Sequence, residues 1–345
     1  MTKPKVYITR EIPAAGTDLL KPYCDLEVNP EESPPTKEEL EKKVRGKDAL
    51  LCLVTDRVDK DVIAQGTQLK IISSMSVGFE HIDVEEATKK GIYVTNTPGV
   101  LTDATADFAW TLIMASARRV AEADRYVRGQ KWKIAWGPMM FLGSEVYGRT
   151  LGLVGLGRIG SGVAERSKGF RMKLLYYDIV RAPLQKEKDL GVEFVPLEKV
   201  LKESDFVTIH VPLAAETRHF IGKQQLRMMK PSAHLINTSR GPVVDEEALI
   251  VALREKWIAG AGLDVFEKEP INPDSQLLNL DNVTLAPHIA SATRDSRYSM
   301  AKIAAENIIA VLKGERPPQL VNPDAVSVRP PSQAKVILTS QTQES

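Results

Sequence analysis

Short apolar runs rich in β-branched residues alternate with longer stretches of helical spacing along most of the chain. In the first part of the sequence such runs occupy residues 6–9, 26–28, 49–54, 69–73 and 92–95. Strands that are buried on both faces read as continuous apolar runs, and helices between them imply parallel crossover connections. The alternation therefore predicts an α/β fold in which the first 97 residues or so form a doubly wound parallel sheet.

Pro98 and Gly99 interrupt this alternation, which later resumes. Between the two parts, a stretch from Thr102 or Asp103 to about Arg119 is apolar around most of its circumference and predicts a buried helix. The second alternation predicts strands at 150–155, 173–177, 206–211, 234–237, 259–263 and 283–285, followed by an amphipathic helix at 292–312. A chain of 345 residues is long enough for two such domains.

The composition excludes several classes of partner. The chain has 46 Lys and Arg against 45 Asp and Glu, and this near-neutral charge argues against nucleic acid or an anionic membrane as partner. No apolar run is long enough to span a bilayer, the N-terminus has no signal-peptide pattern, and the two cysteines fit a reducing compartment. The histidines and cysteines lack metal-ligand spacing. We expect a soluble cytoplasmic protein without a metal.

A glycine-rich loop follows the predicted strand at 150–155. It has the form G-x-G-x-x-G and consists of Gly155, Leu156, Gly157, Arg158, Ile159 and Gly160. A strand before it and a helical pattern after it are the context of a dinucleotide site, in which the glycines allow a tight turn and the helix N-terminus receives the pyrophosphate. Asp178 ends the next strand, about 20 residues further on. Its carboxylate can accept hydrogen bonds from ribose hydroxyls and repel a 2′-phosphate, which predicts NAD(H) as the preferred cofactor. Arg181 keeps NADP(H) open as the alternative.

Three polar residues follow strands of the second alternation. Arg240 comes after the strand at 234–237, Glu269 after that at 259–263, and His288 after that at 283–285. Ligands of an open α/β sheet bind at the carboxyl ends of its strands, so these side chains are expected to converge. The guanidinium can bind a carboxylate and polarise a carbonyl group, and His288 can give a proton to the oxygen. Glu269, paired with the ring, would favour the imidazolium.

These residues carry a resemblance to the D-2-hydroxyacid dehydrogenases, and within that family to the glyoxylate/hydroxypyruvate reductases. It covers residues 3–325 or so and rests on the segments Ser-Met-Ser-Val-Gly-Phe-Glu-His-Ile-Asp, Gly-Leu-Gly-Arg-Ile-Gly, Asn-Thr-Ser-Arg-Gly, Ala-Gly-Leu-Asp-Val-Phe and Pro-His-Ile-Ala-Ser-Ala. The resemblance implies that Arg240 orients the substrate, Glu269 partners the histidine and His288 donates the proton. It also implies that Val77 and Gly78 offer backbone amides to the substrate carboxylate.

The resemblance implies further contacts. Trp136 matches a tryptophan that such reductases lend across a homodimer interface to shape the neighbour's substrate pocket. Asp264 would contact the nicotinamide carboxamide, and Thr102 would sit near the cofactor at the hinge. The complete set of cofactor contacts expected in this way is Thr102, Gly155, Gly157, Arg158, Ile159, Gly160, Asp178, Pro212, Thr238, Ser239 and Asp264.

The family fold implies two doubly wound domains, one inserted into the other, with the active site in the cleft between them. A flavodoxin-like substrate domain would comprise residues 1–99 and 289–325, and a Rossmann cofactor domain residues 100–288. Residues 326–345, rich in Pro, Ser and Gln, would form a poorly ordered tail or an arm.

The expected activity is NAD(P)H-dependent reduction of a short 2-oxo acid, glyoxylate to glycolate or hydroxypyruvate to D-glycerate. The alternatives are another D-2-hydroxyacid dehydrogenase, such as 3-phosphoglycerate dehydrogenase, and a dinucleotide-sensing binding protein that resembles a co-repressor. Formate-type relatives are disfavoured because a Gln usually replaces the acid at Glu269. Phosphite-type relatives are disfavoured because Val77 stands where they would have a Lys.

Overall fold

The computed structural model describes residues 3–336, and the chain divides into two compact units. One unit contains the residues up to Leu101 together with those from Thr293 onward, and the other is Thr102–Ala292. Each unit is built on one parallel sheet with helices in its crossover connections, which confirms the predicted fold class of two doubly wound α/β domains.

The first unit begins with strands and helices that alternate along the chain. In the described residues up to Leu101, its strands are β1 (Lys5–Ile8), β2 (Asp25–Val28), β3 (Ala49–Cys52), β4 (Ile71–Ser74) and β5 (Tyr93–Thr95). Its helices there are α1 (Ala14–Leu20), α2 (Lys37–Lys43), α3 (Lys60–Gln65) and α4 (Val84–Lys89). The strand order β2-β1-β3-β4-β5 is that of flavodoxin-like sheets. The central strands β3 and β4 are buried along their whole length, as their apolar sequences predict.

The second unit repeats this principle with a larger sheet. Its described strands are β6 (Thr150–Val154), β7 (Lys173–Tyr177), β8 (Val192–Phe194), β9 (Phe206–Ile209), β10 (His234–Asn237), β11 (Gly260–Leu263) and β12 (Val283–Leu285). Its described helices are α5 (Thr102–Ala117), α6 (Val120–Arg128), α7 (Arg158–Arg166), α8 (Leu184–Leu190), α9 (Leu197–Glu203), α10 (Lys223–Met228) and α11 (Glu246–Arg254). The strand order β12-β11-β10-β9-β6-β7-β8 contains the Rossmann arrangement.

Strand β8 was not predicted from the sequence pattern. It comprises Val192–Phe194, with an exposed Glu193 between its two apolar residues. Because it pairs only with β7 at the edge of the sheet, it needs no continuous apolar run. The buried helix α5, in contrast, was predicted. It packs directly on β11, where a Cβ atom on Gly262 would lie 2.9 Å from the Cβ atom of Leu112.

The chain returns to the first unit through α12 (Arg294–Leu312), followed by α13 (Ala325–Val328) and α14 (Pro331–Ala334). Helix α12 crosses α1 closely, since a Cβ atom on Gly16 would lie 2.8 Å from the carbonyl oxygen of Ala301. The hydroxyl group of Ser73 in β4 also donates to the carbonyl oxygen of Ala304, at 3.0 Å. The last helix of the sequence pattern therefore completes the core of the first unit.

The start of the expected C-terminal tail is ordered, in contrast to its composition. The Arg329 side chain donates to the carbonyl oxygen of Leu69 at 2.8 Å, and the Tyr93 hydroxyl donates to the carbonyl oxygen of Arg329 at 2.5 Å. The amide of Val336 donates to the carbonyl oxygen of Leu312 at 2.8 Å. These contacts fix residues 326–336 on the first unit, and residues 337–345 of the predicted tail lie outside the described residues.

His234 is a buried polar residue at the start of β10. Its Nδ1 lies 2.8 Å from the hydroxyl oxygen of Ser116, its Nε2 lies 3.3 Å from that of Ser144, and its ring stacks on Phe206. Burial lowers the pKa of the imidazole to about 4. His234 is therefore neutral in the folded protein at neutral pH, with serine partners at both ring nitrogens.

This burial predicts how acid destabilises the second unit. The unfolded chain protonates His234 near its ordinary pKa of 6.5 and the folded chain only near 4, so stability present above pH 6.5 is lost as the pH falls towards 4. One such group changes the free energy of unfolding by up to about 1.4 kcal/mol per pH unit. We expect His234→Asn to flatten this dependence in urea unfolding measured across that pH window. His219→Asn, at an exposed histidine, is the control and should retain the slope of the unmodified protein.

Candidate active site

The glycine loop between β6 and α7 is shaped by close backbone packing. Gly155 has a φ of 98°, and a Cβ atom there would lie 2.9 Å from the backbone of His210. A Cβ atom on Gly160 would lie only 2.2 Å from the carbonyl oxygen of Gly155. A Cβ atom on Gly157, in contrast, would meet nothing within 4 Å. The outer glycines are thus required by the fold, while the middle one leaves open space in front of the helix.

That open space lies at the start of α7. Gly157 is the N-cap residue and provides no side-chain hydrogen bond, and Arg158 and Ile159 form the first turn. The free amides and the dipole of a helix N-terminus favour an anion. Directly after β10, which is separated from β6 by β9, the buried hydroxyl group of Thr238 has no hydrogen-bond partner among the described residues. An uncrowded helix N-terminus and an unsatisfied buried hydroxyl fit a bound dinucleotide.

Other residues predicted to contact the cofactor also lie in the second unit. Thr102 begins α5 close to α7, because its Cγ2 would lie 3.8 Å from a Cβ atom on Gly162. Pro212 is exposed shortly after β9, and its carbonyl oxygen accepts a hydrogen bond from the Thr217 hydroxyl at 2.7 Å. Ser239 follows Thr238, and its hydroxyl donates to the side-chain oxygen of Asn237 at 3.0 Å.

Asp178 lies directly after β7, beside the glycine loop. One carboxylate oxygen accepts the amide of Leu156 and the other that of Ile179, both at 2.8 Å. These hydrogen bonds fix the carboxylate next to the glycine loop. Each oxygen retains a further lone pair that can accept a hydrogen bond from a ribose hydroxyl.

Arg181 follows Asp178 but is engaged elsewhere. Its Nε and Nη2 each donate to a different oxygen of Glu187, both at 2.8 Å, and the Tyr176 hydroxyl donates to the same carboxylate at 2.6 Å. The hydrogen bond from Arg181, followed by that from Tyr176, lowers the pKa of Glu187 to about 2. The arginine that the sequence offers as a partner for a 2′-phosphate therefore forms a bidentate ion pair within the protein.

Glu269 and His288 form a hydrogen-bonded pair in the loops that follow β11 and β12. The Nδ1 of His288 lies 2.7 Å from one oxygen of Glu269, and the other oxygen accepts the amide of Phe266 at 3.0 Å. Burial raises the pKa of the Glu269 carboxyl group, but the hydrogen bond and the charge of His288 outweigh this and leave it below its usual value. Glu269 is therefore a carboxylate that orients the ring and directs Nε2 away from itself.

Arg240 stands in the loop after β10, next to the loop of Glu269. A Cβ atom on Gly241 would lie 1.8 Å from the carbonyl oxygen of Phe266, so only glycine allows the two loops to touch. Arg240 donates from Nη1 to the carbonyl oxygen of Ser239 at 2.7 Å, and its charge contributes to the lowered pKa of Glu269. The structure thus brings Arg240, Glu269 and His288 into one neighbourhood.

Asp264 fixes the backbone at His288. His288 has a φ of 54°, a left-handed conformation that costs a non-glycine residue about 1–2 kcal/mol. Its amide donates to the carbonyl oxygen of Asp264 at 2.9 Å, and the buried Asp264 carboxylate accepts the amides of Ile289 and Ala290, both at 2.8 Å. Desolvation raises the pKa of Asp264, and these two amides partly offset the shift. Sequence reasoning missed this role, because it depends on the fold of the turn. A contact of Asp264 with the nicotinamide stays a prediction.

The remaining predicted site residues lie elsewhere. Val77 and Gly78 follow β4 in the first unit and are half-buried. Trp136 is 77% exposed in the irregular segment between α6 and β6. That segment also exposes the large apolar side chains of Trp132, Ile134, Met139 and Leu142. Within residues 3–336, no group of His, Cys, Asp and Glu could hold a metal ion, and no helix is both long and apolar enough to cross a membrane.

Comparisons with known proteins agree with this geometry. Residues 110–290 match the family described as "D-isomer specific 2-hydroxyacid dehydrogenase, NAD binding domain". The chain is 59% identical to a "Glyoxylate reductase" of Korarchaeum cryptofilum, over 95% of this chain and 99% of that one. It also resembles the solved structure of the TT0316 protein from Thermus thermophilus, with a TM-score of 0.86, 44% identity and coverage of 92% and 99%. An NADPH-dependent glyoxylate/hydroxypyruvate reductase from Sinorhizobium meliloti, solved with NADP and malonate, gives a TM-score of 0.81 at 29% identity, with coverage of 94% and 98%.

Proposed function

Because the chain belongs to the family of D-isomer specific 2-hydroxyacid dehydrogenases, we propose that it reduces short 2-oxo acids, glyoxylate to glycolate and hydroxypyruvate to D-glycerate. The observation that carries the proposal is the hydrogen bond of 2.7 Å between His288 and Glu269, in the unit that also holds the glycine loop. The name of the Korarchaeum relative supports glyoxylate, and that of the Sinorhizobium enzyme supports both substrates.

The proposed reaction divides the work among three side chains. The reduced nicotinamide ring, when bound, supplies the hydride to the 2-carbon of the acid. His288 gives the proton on Nε2 to the 2-oxo oxygen as negative charge develops there. Glu269 accepts the hydrogen bond from Nδ1 and stabilises the imidazolium that precedes this transfer. Arg240 binds the substrate and polarises its carbonyl group.

The substrate carboxylate is proposed to bind the backbone amides of Val77 and Gly78. Two amides match the two oxygens of a carboxylate and add no charge that would compete with Arg240. Malonate, which is present in the Sinorhizobium structure, also carries carboxylates. This assignment requires a carboxylate on the substrate.

We propose NAD(H) as the preferred cofactor, with NADP(H) as the poorer alternative. Asp178 places a carboxylate beside the glycine loop, and Arg181 is paired with Glu187. The residues between them, Ile179 and Val180, are exposed and apolar and offer a 2′-phosphate no charge. The proposed contacts are those predicted from the sequence, namely Thr102, Gly155, Gly157, Arg158, Ile159, Gly160, Asp178, Pro212, Thr238, Ser239 and Asp264.

A homodimer is proposed from the apolar surface of the second unit. This unit exposes the apolar side chains of the segment that contains Trp136, and it also has a groove of about 570 Å³ lined in part by Trp110, Met114, Val120 and Phe170. Exposed apolar patches of this kind mark protein interfaces. In this dimer Trp136 would shape the partner's pocket. The buried free thiols of Cys24 and Cys52 agree with a reducing compartment, and we propose the cytoplasm.

The activity is tested with a panel of 2-oxo acids, NADH and NADPH, on the unmodified protein and on His288→Ala. We expect NADH oxidation with glyoxylate and hydroxypyruvate, and a loss of about 10²–10⁴-fold in kcat in the variant, because the proton donor is removed. The dissociation constant of NADH, measured by fluorescence titration, should change little.

The control is His219→Ala. His219 also has a left-handed backbone, with a φ of 53°, and its Nε2 lies 2.8 Å from Glu267 in the same unit. It should retain full turnover. Equal loss of NADH binding and turnover in His288→Ala would contradict the assigned role. An unmodified protein that binds NADH but turns over no 2-oxo acid would favour the dinucleotide-sensing alternative.

Cofactor preference is tested with Asp178→Ala. Removing the carboxylate removes its repulsion of a 2′-phosphate and its hydrogen bonds to ribose, so the ratio of kcat/KM for NADPH to that for NADH should rise about tenfold or more. Asp189→Ala, at an exposed aspartate of α8, should leave the ratio unchanged. A wild-type enzyme that uses both cofactors equally well would show that Asp178 does not select between them.

The dimer is tested by light scattering coupled to size-exclusion chromatography. We expect a mass of about twice the 38.1 kDa of the chain. The double variant Ile134→Glu and Met139→Glu should be monomeric, because charges on this apolar surface oppose association. The same pair of changes at exposed Leu19 and Val328 of the first unit is the control. A monomeric unmodified protein would refute the interface.

A further inference from the structure

Three consecutive carbonyl groups after β4 accept hydrogen bonds from side chains or backbone of the first unit. The carbonyl oxygen of Ser76 accepts the amide of Thr97 at 2.8 Å and its hydroxyl at 3.1 Å. That of Val77 accepts the side-chain amide of Asn96 at 2.7 Å. That of Gly78 accepts the hydroxyl of Ser76 at 2.6 Å. Two of these carbonyl groups are therefore held by the residues that follow β5, and the third is held within the turn.

These bonds also orient the amides of the turn. In a trans peptide group the N–H points opposite to the C=O, so a carbonyl held on one side directs the following amide to the other. The Ser76 carbonyl shares its peptide group with the amide of Val77, and the Val77 carbonyl shares one with the amide of Gly78. Among residues 3–336 neither amide has a hydrogen-bond acceptor within the protein. Both are thus presented to a ligand.

Asn96 is itself held in place by the returning part of the chain. Its backbone amide donates to the carbonyl oxygen of Gln319 at 3.4 Å, and its own carbonyl oxygen accepts the side-chain amide of Asn307 at 3.4 Å. Asn307 is fully buried in α12, and its side-chain oxygen accepts the amide of Gln319 at 3.2 Å. The Asn96 side chain is therefore aimed at the Val77 carbonyl by fixed backbone.

The hydroxyl of Ser76 belongs to a directed chain of hydrogen bonds. The Ser76 hydroxyl has one proton, which it donates to the carbonyl oxygen of Gly78. The Ser74 hydroxyl, whose oxygen lies 2.6 Å from that of Ser76, must therefore donate to Ser76. The proton of Ser74 is thereby used, and the Nε2 of His81, at 3.1 Å, must donate to Ser74. Both serines are buried. A chain with one direction strengthens each of its bonds and fixes the turn further.

We propose that Thr97 and Asn96 are positioning residues that preset the amides of Val77 and Gly78 to bind a carboxylate, and that the Ser76 hydroxyl supports them by closing the turn at the Gly78 carbonyl group. This deepens the proposed function and rests on it. No side chain of the set touches the substrate; each acts through a peptide group. The turn thereby favours acids, since two fixed amide donors match the two charged oxygens of a carboxylate and bind an uncharged carbonyl compound more weakly.

The test uses Asn96→Leu and Ser76→Ala in the full-length enzyme. Each removes one donor to a carbonyl group without adding charge. We expect the KM for glyoxylate and the inhibition constant of oxamate to rise together by about fivefold, the value of one hydrogen bond. The values of kcat and of KM for NADH should stay within about twofold. Thr97→Val should have a smaller effect, because the Thr97 amide still holds the Ser76 carbonyl.

The matched control is Asn322→Leu. In the same unit, the Asn322 side chain donates to the carbonyl oxygen of Ile92 at 2.9 Å and accepts the amide of Val94 at 2.8 Å, away from the turn. Its loss should lower the melting temperature but change neither the KM for glyoxylate nor the inhibition constant of oxamate. If Asn96→Leu does not fold, Ser76→Ala and Thr97→Val carry the comparison.

The outcomes separate the two proposals. Suppose that the unmodified enzyme reduces glyoxylate while Ser76→Ala and any folded Asn96→Leu keep its KM and its inhibition constant for oxamate. That result overturns the positioning role alone. An effect on kcat alone, or equal effects in Asn322→Leu, overturns it as well. If the unmodified protein neither reduces glyoxylate nor binds oxamate, the proposed function itself is wrong.

Discussion

Parallel strand alignment is the constraint on which the arrangement of the site depends. Every pairing between the named strands is parallel, so all carboxyl ends within a sheet open at the same edge. Residues that are far apart in the sequence, such as Arg240 and His288, therefore follow neighbouring or nearby strands. Short-range contacts between the loops that follow these strands then hold the candidate site residues together. These are the closeness that Gly241 permits, the carboxylate of Asp264 at the turn of His288, and the pair of His288 with Glu269.

Much of this could be predicted from the sequence, because the signals are local. Continuous apolar runs predicted the buried strands, the glycine spacing predicted the tight turn between β6 and α7, and the positions after strand ends predicted that Glu269 and His288 meet. The rest depends on contacts between distant residues. Asp264 as the partner of two amides, Asn96 as the partner of Val77, and the packing of Arg329 on Leu69 leave no periodic trace. Strand β8 is too short and too exposed to produce one.

Charge distribution follows the same logic. The net charge of +1 carries no information on a site for anions, since the relevant groups are local. In the second unit Arg181 is neutralised by Glu187, whereas the N-terminus of α7 is capped by no side chain. In the first unit the amides of Val77 and Gly78 carry only partial charge. Under the proposed assignments, anion recognition would depend on backbone amides and on Arg240 rather than on a basic surface.

The division of the chain into Thr102–Ala292 and its flanking parts has an evolutionary consequence. The glycine loop and the pair of His288 with Glu269 lie in one unit, while the turn of Val77 and Gly78 lies in the other. Under the assignments made above, redox chemistry and acid recognition are encoded in separate stretches of the gene. Mutations in the flanking parts can then shift the range of substrates while the catalytic groups stay intact. Substrate range and redox chemistry could then change independently of each other.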